Sequence, residues 1–144
     1  LIQDVISLAE TRCKKKKLYF ESQVDNQVPE ILLGDEVRIK QVLTNIIDNA
    51  IKYNRCGGSV NITLGENKRK WIITIKDTGI GIAEEEQERI FERFYRVDKS
   101  RHRDGTGLGL SIVKHAIMVH RGNISVNSNL GDGTEFIVRL PKSE

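Results

Sequence analysis

Cysteine is scarce in this sequence of 144 residues. The two present, Cys13 and Cys56, lack metal-ligand spacing and are read as free thiols of a reducing compartment. Long apolar runs are missing as well. No stretch approaches the roughly 18 residues of a membrane-spanning helix, so neither a span nor direct membrane contact is expected. A surplus of one charge is also lacking. Lys and Arg number 23 against 20 Asp and Glu, and a net +3 is too small to imply nucleic acid. The one dense basic run, Lys14 to Lys17, follows an amphipathic segment with Ile2, Val5, Ile6 and Ala9 inward. It reads as a solvated helix end, favourable beside the negative pole of the helix dipole. The chain opens at Leu1 with no methionine or signal-like segment, so it is expected to be a piece of a longer protein.

What is present is the composition of one soluble globular domain, 38% hydrophobic and 30% charged. Leu1 to Lys17 is expected as a helix, Leu18 to Val24 as a strand, and Pro29 as a turn before the short apolar segment Ile31 to Leu33. Asp35 is placed to cap the next helix, with Glu36 in its first turn. Along that helix Ile39, Val42, Leu43, Ile46, Ile47 and Ala50 form an apolar stripe that must pack on a sheet. After Gly57-Gly58, Val60, Ile62 and Leu64 alternate as one strand and Trp71 to Lys76 as the next, a predicted hairpin. Ile90, Phe91 and Phe94 have helical spacing within a charged segment, and Arg96 to Gly105 is polar and irregular, read as a mobile lid. A helix from Leu110 ends near Arg121-Gly122. Ile124 and Val126 mark one strand, and Phe136, Val138 and Leu140 another, joined by Gly131-Asp132-Gly133. This order predicts an α/β (α+β) two-layer sandwich, a mixed sheet covered on one face by helices.

Two stretches carry chemistry. In Asp77-Thr78-Gly79-Ile80-Gly81-Ile82 a strand delivers a carboxylate at its end. An acceptor-only side chain suits the exocyclic amino group of adenine and disfavours guanine, which presents an acceptor there. Gly79 and Gly81 permit a sharp turn and a close approach to a flat ring. In Gly105-Thr106-Gly107-Leu108-Gly109-Leu110, glycines precede a helix whose free N–H groups and dipole attract phosphate. A dinucleotide fingerprint would want glycine at Leu110, and a P-loop would want its lysine, so neither common phosphate loop fits. On the central helix Asn45, Asn49 and Lys52, offset by four and three, put two amides and one ammonium on a single polar face.

With these residues in order, the chain resembles the catalytic and ATP-binding domain of sensor histidine kinases, within the gyrase, Hsp90, histidine kinase and MutL ATPase group. Asn45 to Tyr53 resembles the N box and Asp77 to Ile82 the first glycine box. Phe91-Glu92-Arg93-Phe94-Tyr95-Arg96 resembles the F box, and Gly105 to Leu110 and Gly131 to Thr134 the remaining glycine boxes. The resemblance implies a mixed, mostly antiparallel sheet, three main helices on one face and a short ATP lid. It implies Mg²⁺ held by Asn49 and Asn45, phosphate contacts from Lys52, Thr106, Gly107, Leu108, Gly109 and Leu110, and a flanking Tyr53. Around the base it implies Asp77, Gly79, Gly81, Ile82 and Thr134. Arg96 would face the γ-phosphate, so the catalytic set is Asn45, Lys52 and Arg96. Phe91 and Phe94 are expected to pack the lid helix, and Lys99, Arg101 and Arg103 to stay solvated.

Hydrolytic members of that group carry a glutamate one turn before the metal asparagine, where Asn45 stands here, and an amide has no useful basicity. Transfer to a protein acceptor is therefore favoured over attack by water. The implied acceptor is a histidine on a separate dimerisation domain, in a helix where an acidic residue follows it. His102, His115 and His120 are followed by Arg103, Ala116 and Arg121, so the acceptor is expected elsewhere. The implied partners are ATP, that dimerisation and phosphotransfer domain, and a downstream response regulator. The domain is expected to be a cytoplasmic monomer when isolated, its parent a homodimer that could be a membrane-anchored sensor. Two alternatives stand beside this: a serine kinase of the anti-sigma type, against which the F box argues, and a nucleotide-binding regulatory module without transfer activity.

Overall fold

The computed structural model describes residues 2–24, 36–95 and 109–141. In chain order the elements are α1 (Ile2–Lys15), β1 (Tyr19–Val24), α2 (Glu36–Lys52), β2 (Ser59–Glu66) and β3 (Lys70–Asp77). Two 3-10 turns follow, Glu84–Glu86 and Arg89–Phe91, then α3 (Gly109–Val119), β4 (Asn123–Asn129) and β5 (Gly133–Pro141). The five strands form one sheet in the order β1-β2-β3-β5-β4. Only β1 and β2 run parallel, because α2 forms the crossover between them; the other neighbours are antiparallel.

Period-two alternation builds the core. Val60, Ile62 and Leu64 of β2, Ile73 and Ile75 of β3, and Phe136, Val138 and Leu140 of β5 are all buried. They share one face of the sheet, as the pairings Ile62 with Ile75, Ile73 with Val138 and Ile75 with Phe136 require. Onto that face α2 lays Ile39, Val42, Leu43, Ile46, Ile47, Ala50 and Ile51, α1 adds Val5, Ala9 and Cys13, and α3 adds Val113, Ala116 and Ile117. Each large aliphatic side chain removed from water here contributes about 1.5–3 kcal/mol, which sets α2 as the spine of the helical layer. On the opposite face Asn61, Thr63, Thr74, Glu135 and Arg139 remain partly open to water and Lys76 is exposed.

The first helix stops at Lys15, two residues before the expected end. Lys17 takes a left-handed backbone (φ 60°), and the Leu18 N–H returns to the Cys13 carbonyl at 2.9 Å, which turns Leu18 into the core. The basic run is not wholly solvated. Lys14, Lys15 and Lys17 are exposed, but Lys16 Nζ donates to the carbonyls of Ile51 and Lys52 at 2.6 and 2.8 Å and so caps the end of α2. Beside it Arg12 pairs with Asp48. The two helices are thereby tied near their C-terminal ends.

The expected helix around Ile90 is replaced by the two 3-10 turns. Glu84, Glu85, Glu86 and Glu88 crowd like charges, and the Gln87 side chain donates to the carbonyls of Ile82 and Ser128 at 3.0 and 2.9 Å, which draws the segment down onto β4. Ile90 is buried, and Phe91 stacks edge-on against Phe136 with ring centres 6.4 Å apart. Phe94 does not pack as expected. It is 64% exposed, with φ 64°. The proposed lid, Arg96 to Gly105, lies outside the described residues, as do Pro29, Ile31 to Leu33 and Asp35.

Candidate functional site

The row of core-facing residues ends in polar groups at one edge of the helical layer. Register places Val60, Asp77, Thr134 and Ser128 side by side on β2, β3, β5 and β4. Asp77 and Thr134 are each only 7% exposed, and they alone are the fully buried polar side chains among the described residues. Alternation itself put them there. A residue two places beyond Ile75 must face the same side, so the carboxylate enters a site made for an aliphatic group.

Burial raises the Asp77 carboxyl from 3.8 to about 6, against the opposing pull of hydrogen bonds from the Gly79 and Thr134 amides. Both of those bonds, at 2.8 and 3.2 Å, converge on Oδ1. Among the described residues Oδ2 receives none. A buried carboxylate with one oxygen satisfied by the backbone and one left over can accept from a ligand donor.

Three separate chain segments close around that carboxylate. The Ile80 N–H donates to the carbonyl of Tyr53, just past α2, at 3.1 Å, and the Gly131 N–H donates to the Ile80 carbonyl at 2.8 Å. Arg55 reaches across to the Gly131 carbonyl. Gly79 is buried so tightly that a Cβ would stand 2.4 Å from the Tyr53 oxygen, and Gly133, at φ 110°, would place one 2.1 Å from the Asp77 carbonyl. The glycines therefore let the turn after β3 press against the end of α2 and the β4–β5 hairpin.

On α2, Asn45, Asn49 and Lys52 are half-buried and Tyr53 is partly exposed. Lys52 Nζ rests 5.4 Å from the centre of the Tyr53 ring. Asn45 Nδ2 lies 3.5 Å from the carbonyl of Gly109, which opens α3, so the polar face of α2 meets the start of the helix that follows the glycine-rich stretch. Among the described residues no trio of His, Cys, Asp or Glu is grouped to hold a metal. The donors available beside α2 are neutral amide oxygens.

Residues 34–144 match the profile of the histidine kinase-, DNA gyrase B- and HSP90-like ATPases. The chain belongs to that family. It is 53% identical over 112 residues to the sensor protein SrrB of Staphylococcus aureus, a match that covers 76% of this chain and 19% of SrrB. The chain thus spans about a fifth of the length of that relative. Its fold superposes on the catalytic domain of the histidine kinase ThkA with a TM-score of 0.84, at 33% identity over 99% of this chain and 92% of that one. Full-length ShkA, solved in complex with AMPPNP, gives a TM-score of 0.85 at 30% identity over 99% of this chain and 29% of ShkA. The mixed, mostly antiparallel sheet with helices on one face is the fold of histidine kinase catalytic domains.

Within this ATPase domain the structure brings together Asp77, Gly79, Gly81, Thr134 and Tyr53 through the contacts above, with Ile82 joined by its amide to Ser128. Gly81, at φ 74°, abuts the Asn129 carbonyl. Gly109 and Leu110 begin α3, where Leu110 packs partly against the core. Arg96, Thr106, Gly107 and Leu108 lie outside the described residues. Sequence reasoning passed over Asn54 and Thr78. Thr78 Oγ1 receives the Ser59 N–H at 2.8 Å, and Asn54 Nδ2 donates to the Ser59 carbonyl at 2.9 Å, which fastens the residues just past β3 and just past α2 to the start of β2. Thr78 stood inside the first glycine box, a signal that was available. Ser128 had none, because its importance comes from pairing across the sheet.

Proposed function

We propose that this domain binds Mg-ATP and donates the γ-phosphoryl group to a histidine on the dimerisation domain of the same sensor kinase. The observation that carries the reading is the buried Asp77 carboxylate, whose Oδ1 is held by two backbone amides while Oδ2 is left for the adenine amino group. The donor set suits magnesium. Mg²⁺ prefers oxygen ligands and keeps several waters, so the amide oxygens of Asn49 and Asn45 together with phosphate oxygens are sufficient, without an acidic cage. When bound, the ion would neutralise charge on the phosphates. Lys52 would add a point charge there, and the positive end of the α3 dipole would favour the anion. Thr106, Gly107 and Leu108 would continue that cradle, and Arg96 would stabilise charge at the γ-phosphate.

Asn45 supports transfer over hydrolysis, since its amide cannot take a proton from water. The acceptor lies outside this chain in this reading: His115 is exposed on α3, and His120 Nδ1 bonds the Ala116 carbonyl at 2.8 Å, so it is held against its own helix. The parent would be a homodimer that passes the group to a response regulator, with this domain in the cytoplasm.

Radiolabelled ATP supplied to this chain and a purified dimerisation domain should leave acid-labile, base-stable label on the latter. Acid-stable label would instead indicate a serine kinase. ATP binding without transfer would reduce the domain to a nucleotide-binding module.

A further inference from the structure

At the Asp77 end of the site three hydrogen bonds run head to tail through three chain segments. The Ile80 N–H, in the turn after β3, donates to the Tyr53 carbonyl at 3.1 Å. The Gly131 N–H, in the β4–β5 hairpin, donates to the Ile80 carbonyl at 2.8 Å, and the Arg55 guanidinium donates to the Gly131 carbonyl. Tyr53 and Arg55 are two residues apart, so the series returns to its start and forms a ring. Arg55 supplies the ring's one side-chain link. Its own backbone is braced: the Arg55 N–H meets Asn54 Oδ1 at 2.8 Å, its carbonyl accepts the Gly58 N–H at 2.9 Å, and Asn54 Nδ2 holds the Ser59 carbonyl at 2.9 Å. The guanidinium therefore reaches out from a fixed loop.

We infer that Arg55 is a positioning residue for nucleotide binding: by closing the ring it holds the β4–β5 hairpin and the glycine turn at the spacing that admits a purine beside Asp77, a role that rests on the adenine reading above. The two strapped segments also aim the carboxylate, since the Gly79 and Thr134 amides that fix Asp77 Oδ1 belong to them. Without Arg55 the hairpin tip is tied to the end of α2 through two neutral bonds in series, and opening either one releases it. With Arg55 the tie fails only when a second link opens as well. A charged donor is roughly twice as strong a link as a neutral one, although water competes for a guanidinium as exposed as this.

The ring serves one end of the ligand. Asn45, Asn49 and Lys52 come before it on α2, so loosening it leaves the helix that carries them in place. A strap and a bare positive charge then differ in their consequences. An arginine acting as a charge attracts an anionic triphosphate whether or not a base is attached. One acting as a strap serves the base, and does so equally for a charged and an uncharged ligand.

The test is NMR titration of the 144-residue chain with Mg-ATP, adenosine and Mg-tripolyphosphate, which carry both parts of the ligand, the base part alone and the phosphate part alone. Arg55→Met removes the donor and should weaken Mg-ATP and adenosine by the same factor, about three- to tenfold, while tripolyphosphate binds as before. Arg55→Lys keeps a charged donor and should recover part of the loss. In hydrogen exchange on the unliganded protein, the Gly131 amide should exchange about three- to tenfold faster in Arg55→Met, because its bond to Ile80 has lost the link that closes the ring. An unchanged adenosine affinity in folded Arg55→Met overturns the strap and marks a charge effect. Equal losses for all three ligands overturn it as a general defect, and Gly131 exchange matching the wild type is equally fatal. A wild-type protein that binds tripolyphosphate as tightly as ATP, and adenosine not at all, overturns the adenine reading itself. Should Arg55→Met fail to fold, Arg55→Ala is judged by the same ligands and the same exchange measurement.

Discussion

Replacing Asp77 by asparagine should make the nucleotide-free protein more stable while it disables adenine binding. The carboxyl is 7% exposed and lifted by burial from 3.8 to about 6. A shift of about two units corresponds to roughly 3 kcal/mol of folding free energy, at 1.36 kcal/mol per unit. The sign follows from proton counting. Between about pH 4 and 6 the native state holds a proton that the unfolded chain has released, so wild-type stability falls as pH rises through that window and is level above it. The amide does not ionise, keeps an oxygen for the Gly79 and Thr134 N–H groups, and removes the buried charge. Urea denaturation of both forms from pH 4 to 8 should therefore give curves that nearly coincide near pH 4 and diverge by about 2–3 kcal/mol above pH 7. For a chain of this size that is a rise of roughly 8 °C in the melting temperature. Over the same range the wild type should lose Mg-ATP affinity as pH falls through about 6, because protonation removes the acceptor. The variant should lack that step and bind ATP about ten- to a hundredfold more weakly at pH 7.5. A variant less stable than wild type at pH 7.5, or a difference independent of pH, would refute the claim that Asp77 is a buried charge kept for a ligand.

Gly133→Ala should be poorly tolerated, since φ is 110° and the new methyl would meet the Asp77 carbonyl at 2.1 Å; a loss of about 3 kcal/mol or more in urea denaturation is expected, and a cost under about 1 kcal/mol would contradict the hairpin geometry. Lys16→Met removes the cap on the Ile51 and Lys52 carbonyls, which should cost about 1 kcal/mol, with Lys16→Arg recovering most of it in the same assay.

Much of this fold was legible because it follows from periodicity. The stripe on α2 and the alternation in β2, β3 and β5 are one-dimensional patterns that a helix or strand converts into a face without outside help, and nearly all of their apolar members are buried. Asp77 and Asn45, Asn49 and Lys52 were legible for the same reason, since a strand end and a helix face fix where they lie. The segment around Ile90 misled because its apolar spacing is helical while its charges and the Gln87 tether act against a helix. Lys16 misled because a lysine reads as solvated until another helix brings carbonyls to it.

By itself the sequence determined which residues share a face and where strands end, since these depend on neighbours within a few positions, and, through the order of its motifs along the chain, the family to which it belongs. Only the tertiary structure decided that one Asp77 oxygen is consumed by backbone amides while the other receives no bond among the described residues, and that the Ser128 hydroxyl joins three segments. The physical reason is that hydrogen-bond saturation and desolvation are properties of a crowded place, set by groups as far apart in sequence as Asp77 and Thr134, and no local window of residues contains them.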